Sequence, residues 1–561
     1  MFRKNILMLC LCFLTIACFN DPKVDVVIQN GMIYDGTGTI PYQGTVAIKG
    51  DKIVYVGLPK SFQASKHIDA SNQAVSPGFI NMLSWAVETL LEDGKSQSDI
   101  RQGITLEVFG EGMSWGPLNE NMKMDMKKKQ GDIQYEISWN TLGEYLQFIE
   151  ERGVSTNIAS FIGATTLRIN AIGFEDREPK PSELKLMTDL VHQGMKEGAM
   201  GIGSSLIYAP AFYSSTEELI EICKVAAQYE GMYISHMRSE GNKLLESIDE
   251  LMTIAREAGI RSEIYHLKQS GKKNWHKLDA VVQKIDSARR AGLKITTNMY
   301  NYTAGATGLD ASMPPWVQEG GLDQWIERLK TPSIRKRVIS EMQTDTDEWE
   351  NLMRAAESPD KLILVGFKND SLKYLTGKTL AEVAKMRGLS PEETAIDLVI
   401  QDGSRVGTVY FLMSEENVKR QIQLPYMSFG SDAGSMATEG VFLKSSTHPR
   451  AFGNFARLLA KYVRDEQVIS LEEAIHKLTG LPASNLKIPN RGILKVNNHA
   501  DVVVFNLDSI QDYATFEKPM QYATGVNHVF VNGTQVLENG NHTGALPGKF
   551  VKGPGFQKEL N

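Results

Sequence analysis

At 561 residues, with 42% hydrophobic and 23% charged side chains, the chain has the composition of a soluble globular protein and exceeds one ordinary domain. A formal net charge of −7, with acidic and basic residues interspersed, leaves no basic stripe for nucleic acid, and no nucleic-acid partner is expected. Cys10, Cys12 and Cys18 crowd the N-terminus and Cys223 stands by itself in the body, which excludes an intramolecular disulfide scaffold there.

In chain order, Arg3 and Lys4 precede an apolar run, Ile6 to Ala17, that is too short for a conventional transmembrane helix. This order predicts a signal peptide over 1–17. The stretch Leu14-Thr15-Ile16-Ala17-Cys18 places a small residue before a cysteine, as in a bacterial lipoprotein signal, so Cys18 is the expected lipidation site. Thr15 stands where such signals usually carry Leu, and simple cleavage with secretion is the alternative. The expected location is outside the cytoplasm, facing the periplasm, with a lipid anchor in the membrane.

From Val24 to Ala74, short Val- and Ile-rich runs alternate with Asn-Gly, Asp-Gly and Gly-Asp turns, as in "VDVVIQNGMIYDGTG" and "GTVAIKGDKIVYVG". The same texture returns in "RGILKVNNHADVVVFN" and "GVNHVFVNGTQVLENG". Together they predict one small β-sandwich domain, 18–76 plus 489–552, built from both terminal segments. Between them, eight apolar runs ("PGFINML", "ITLEVFG", "NIASFIG", "MGIGSSL", "MYISHMR", "RSEIYHL", "KITTNMY", "YMSFGSD") are mostly separated by amphipathic helical stretches. Eight favour a closed (β/α)8 barrel over an open sheet, here spanning 77–488. The spacing fails between Tyr300 and Tyr426, which predicts an insertion over about 309–390 after the seventh strand.

Catalytic groups of such a barrel sit at the C-terminal ends of its strands. Of ten histidines, only His236 in "YISHMRSEG" and His266 in "EIYHLKQSG" fall there, on consecutive strands. Asp432 ends the eighth strand in "SFGSDAGS", and Glu111 follows the second in "EVFGEGMS". Each is weak by itself: a strand-end His is more often structural, and Gly-Ser-Asp-Ala-Gly reads equally as a turn. Their agreement across four strands makes a zinc-type divalent-metal site the expectation. Glu107 shares the strand parity of Glu111 but lies mid-strand and reads as a buried, paired carboxylate. The other histidines receive no role, and Cys223, in "TEELIEICKVAAQY", reads as core.

From about Val24 to Val551 the sequence resembles the N-acyl-D-amino-acid deacylases, or D-aminoacylases, of the amidohydrolase superfamily. The resemblance rests on "PGFI" (77–80), "YAPAFYSSTEELIEICKVAAQYEGMYISHMRSEG" (208–241), "IYHLKQSGKKNW" (264–275), "NMYNYTAGATGL" (298–309), "SFGSDAGS" (428–435), "HPRAFGNFARLLAKYVR" (448–464) and "HADVVVFN" (499–506). It implies a barrel, a small β-sandwich and an insertion bordering the substrate. It implies that His236 and His266 bind metal, that Asp432 is the catalytic aspartate, and that Lys268, Tyr300 and Arg450 hold the substrate's α-carboxylate. Ala306 stands where the family has a serine that helps there. Leu83 and Trp85 replace the family's His-x-His, and Glu111 falls at or beside its bridging cysteine. One metal position is therefore expected to be lost, leaving one divalent ion, zinc by expectation, on Glu111, His236 and His266.

The resulting expectation is hydrolysis of N-acyl-D-amino acids by metal-activated hydroxide, with Asp432 passing the proton from water to the departing amine. A dipeptidase acting on D-residue peptides is the near alternative. A cyclic amidase of the hydantoinase or dihydroorotase kind is more distant, because "NIASFIG" offers no lysine to carbamylate. A catalytically silent binding lipoprotein is the alternative from outside the enzymes.

Overall fold

The computed structural model describes residues 23–557, so the signal segment and Cys18 lie outside the described residues. Strands Lys23–Ile33, Tyr42–Lys49, Lys52–Gly57, Gln63–Asp69 and Ala74–Pro77 share one nine-stranded sheet with Val502–Phe505, Val526–Val531, Thr534–Glu538 and Asn541–His542. The two terminal segments join where Val502–Phe505 runs antiparallel to Ala74–Pro77. Alternating Val and Ile residues make one face of this sheet apolar, and Val26, Ile28, Val46, Ile48, Val502 and Val504 form its buried cluster.

The chain passes from Pro77 straight into a barrel of eight parallel strands: β1 (Phe79–Asn81), β2 (Ile104–Phe109), β3 (Asn157–Ser160, resumed at Ile162–Gly163), β4 (Gly201–Ser205), β5 (Met232–His236), β6 (Arg261–Ile264), β7 (Ile295–Met299) and β8 (Met427–Phe429). Neighbours pair in parallel from β1 to β3 and from β3 to β8. The Met82 amide donates to the Phe429 carbonyl (3.1 Å), and a parallel bridge joins Ser84 to Ala433, closing β1 on β8. All eight strands coincide with the apolar runs read from the sequence.

Helices cover the barrel by burying one stripe each. In Thr216–Gln228, Ser215 caps the first turn by accepting from the Glu218 amide, and Leu219, Ile222, Cys223 and Ala226 face inward at helical spacing. Cys223 is a fully buried core residue, as its setting in the sequence suggested. Leu106 and Val108 of β2 pack with Ile80, Phe161 and Ile234 in the interior. Glu107 faces the outer layer, where the hydroxyls of Ser84 (2.7 Å), Ser96 (2.5 Å) and Thr156 (2.9 Å) donate to it.

The break after β7 is wider than 309–390. Ala304–Gly308 pairs antiparallel with Gly407–Phe411, which pairs in turn with Leu362–Gly366. The insertion therefore starts and ends at its own sheet, and Leu309, Trp325, Leu329, Val338, Leu398 and Tyr410 give it a separate core. Its first strand leaves directly from β7, which places the insertion over the C-terminal mouth of the barrel.

Candidate active site

Glu111, His236, His266, Lys268, Tyr300, Asp432 and Arg450 all line one cavity of about 1140 Å³ between the barrel mouth and the insertion. The seven residues singled out from the sequence are thus brought together. His236 is the last residue of β5, and its side chain continues the inward parity of Met232 and Ile234. His266 and Asp432 lie just beyond β6 and β8 with left-handed backbones, φ 33° and 49°. Such conformations cost of order 1–3 kcal/mol in a non-glycine residue and persist where the surroundings enforce them. Here the His266 amide donates to Asn298 Oδ1 and the Asp432 amide to the Leu83 carbonyl, both at 2.8 Å.

Glu111 enters the cavity through a turn only glycines permit. Gly110 and Gly112 have φ of +108° and +69°, and a Cβ would fall 2.5 Å from the Phe161 carbonyl oxygen or 2.0 Å from Ser205 Oγ. This turn separates Glu111 from Glu107, which shares its parity in the sequence yet faces the outer layer.

Glu111 Oε1 lies 2.9 Å from His236 Nδ1 and 2.8 Å from His266 Nε2, with the two rings edge-to-face at 4.5 Å. One ligand atom from each of the three residues lies within 4.8 Å of the others, and all three residues are buried. Burial opposes the charge on Glu111, but His266 and His236 hold its carboxyl well below the usual range. Burial and Lys268 push the His266 imidazole down, whereas Glu240 and Glu111 outweigh them and lift it to about 9. Two imidazoles converging on one carboxylate oxygen form a donor set that fits zinc, and a cation between them would satisfy all three. His236 Nε2, buried without a hydrogen-bond partner, shows the pocket's polar groups incompletely matched among themselves.

Behind this trio stands Glu240, which sequence reasoning did not single out. Its Oε1 lies 3.0 Å from His266 Nδ1 and 2.7 Å from Lys268 Nζ, and its Oε2 lies 3.5 Å from His236 Nε2. Its spacing of four residues after His236 was the available signal. Burial raises its pKa, but His236, Lys268 and His266 reverse this and keep the carboxylate ionised.

Opposite, Arg450 Nη1 pairs with Asp432 Oδ2 at 2.8 Å. Lys268 and Arg450 both approach the Tyr300 ring, at 5.5 and 4.4 Å from its centroid. Burial lifts the Asp432 carboxyl, Arg450 draws it back down, and Glu111 lifts it further. Ala306, without a hydroxyl, offers only its carbonyl oxygen to Arg450 Nη2, at 3.5 Å. His448, given no role from the sequence, also lines this cavity. Its Nδ1 accepts from the Arg450 amide (2.9 Å) and its Nε2 donates to the Ala304 carbonyl (2.9 Å). Burial and Arg450 keep the imidazole neutral, as that accepting nitrogen requires.

A closed parallel barrel with a carboxylate and two imidazoles at its C-terminal mouth has the architecture of metal-dependent hydrolases. Residues 66–537 match the profile of the amidohydrolase family, and the chain belongs to it. It is 29% identical to a D-aminoacylase of Alcaligenes xylosoxydans xylosoxydans, over 94% of this chain and 97% of that one. A Bordetella bronchiseptica N-acyl-D-glutamate deacylase, solved with zinc and a phosphonate mimic of the tetrahedral intermediate, superposes with a TM-score of 0.77 at 26% identity, covering 94% of this chain and all of that one. A D-aminoacylase described by its binuclear metal centre, with one-metal activation and second-metal attenuation, superposes equally well (TM-score 0.77, 28% identity, 94% and 100% covered).

Proposed function

We propose that the protein hydrolyses the amide bond of N-acyl-D-amino acids, releasing a carboxylic acid and a free D-amino acid. The observation that carries this reading is a cationic corner, Lys268 and Arg450 against Tyr300, in one cavity with Asp432 and the Glu111–His236–His266 trio. The deacylase relatives support the substrate class and the D configuration.

Glu111, His236 and His266 would hold one divalent ion, zinc by preference, which supplies a Lewis acid for the amide carbonyl and a water of lowered pKa. Glu240 orients His266 from the far side of its ring, as a carboxylate behind a ligating histidine does. Arg450 and Lys268 bind the substrate's α-carboxylate, Arg450 through its planar fork, and the Tyr300 phenol adds a donor. Arg450 then exchanges part of its contact with Asp432 for the substrate. Asp432 accepts the proton of the attacking water at its carboxylate and returns it to the departing nitrogen. The insertion lines the far wall of the cavity through Asp310, Trp325 and Leu352. Room of about 1140 Å³ exceeds what a simple acetyl amino acid needs and gives the second reading, cleavage of D-residue peptides, a physical basis. Retention of every group in this sequence of events argues against a silent binding protein. The reading is tested by free-amine release from matched N-acyl-D- and N-acyl-L-amino acids, with the D series turned over and the L series left intact. No release from either series would overturn it.

We further propose export and anchoring through a lipidated Cys18, supported by the basic, apolar and small-residue order of Arg3 to Cys18. Among the described residues no helix is long and apolar enough to cross a membrane. Cys18→Ser should shift the protein out of the membrane fraction or leave its precursor unprocessed. Unchanged fractionation and gel mobility would contradict the anchor.

A further inference from the structure

Glu111 offers two carboxylate oxygens, and only Oε1 faces the histidines. The other, Oε2, accepts a hydrogen bond from the indole Nε1 of Trp85 at 2.9 Å. Trp85 is one of the two residues that, by the sequence resemblance, stand where the family carries His-x-His. Its backbone is fixed: its amide donates to the Ala433 carbonyl at 2.9 Å, and the adjoining Ser84 forms the bridge that closes β1 on β8. The indole therefore reaches Glu111 from a rigid part of the barrel rim. Leu83, at the other position, is fully buried among Ile80, Leu106, Val108 and Phe161 and offers no ligand atom.

From this geometry we infer that Trp85 is a positioning residue that takes the place of a second cation. Its N–H binds the carboxylate oxygen left over by the first ion, holds Glu111 as a one-oxygen ligand, and closes the centre to a second metal. The inference rests on the metal site proposed above. An indole N–H is a donor only and never a ligand, so the site gains orientation without gaining an ion. Hydrogen bonds behind metal ligands typically carry 10–100-fold in metal affinity. A second ion would find no further ligand on this rim, because Leu83 is apolar and the Trp85 N–H is already committed to Glu111.

The test is zinc binding to the full chain, by equilibrium dialysis with a competing chelator, in wild type, Trp85→Phe and Trp85→Tyr. Circular dichroism confirms that each variant is folded. Wild type should bind one equivalent, and Trp85→Phe one equivalent about 10–100-fold more weakly. Trp85→Tyr, which returns an O–H donor to a ring, should recover part of the loss. Wild-type affinity in Trp85→Phe would overturn the positioning role, and equal weakening in both variants would assign the effect to ring packing instead. Two equivalents in wild type would overturn the closure of the second position. Should Trp85→Phe fail to fold, the wild-type stoichiometry still decides that closure, and Trp85→Leu replaces it beside Trp85→Tyr as the variant without a donor. A folded wild type that binds no zinc would remove the metal site itself, an outcome distinct from either failure.

Discussion

Asp432→Asn is expected to lower kcat by about 10²–10⁴-fold, the range that general acid–base transfer contributes, while zinc stays bound. Asp432 lies outside the Glu111–His236–His266 trio, and its side chain points into the cavity from a backbone pinned at φ 49° by the Leu83 carbonyl. Asparagine preserves that shape and leaves an oxygen facing Arg450, so Lys268, Tyr300 and Arg450 should keep their arrangement. What disappears is a group able to take a proton from water and give it to a nitrogen. Steady-state kinetics alongside metal analysis separate the possibilities. A near-normal kcat would remove the proton-carrying role, and parallel loss of zinc would place Asp432 among the ligands.

The second large effect is expected at Glu111. Glu111→Ala leaves two histidines whose rings stand 4.5 Å apart, one protein ligand short of the usual catalytic zinc site. Metal affinity should fall by more than the roughly 10–100-fold typical of an outer partner, and activity should fall with it. The fold should persist, because barrel closure rests on the Met82–Phe429 and Ser84–Ala433 contacts and β2 packs through Leu106, Val108 and Phe109, none of which involves this side chain. Glu111→Cys restores an anionic ligand of softer character and should shift preference toward zinc over manganese. Wild-type metal content in Glu111→Ala, measured on folded protein, would show Glu111 to be a bystander.

The barrel was readable because each strand is a short apolar run bounded by Gly or by a helix start, so the pattern repeats locally. His236 and His266 were readable for the same reason, since a strand-end position follows from the strand. The insertion's limits were not. Ala304-Gly305-Ala306-Thr307-Gly308 carries almost no β-branched or large side chains and becomes a strand only by pairing with Gly407–Phe411, far along the chain. His448 and the Trp85 N–H were missed because their roles exist only across long separations, and Glu240 because its four-residue spacing from His236 shows neither His266 nor Lys268 beside it. His448 bonds to Ala304, and Trp85 reaches Glu111 from a different strand. Glu111 itself was placed only through the resemblance and its strand end. Parity alone would have sent it outward with Glu107, and the Gly110 turn reverses that.

The most direct measurement is a zinc titration of the metal-stripped chain, following amine release from an N-acyl-D-amino acid and its L enantiomer. Activity toward the D substrate should rise in proportion to zinc, level off at about one equivalent per chain and stay level in excess, as expected for a catalytic site of three protein ligands. Full activity without metal, a rise that continues to a second equivalent, or equal turnover of the L enantiomer would contradict the account.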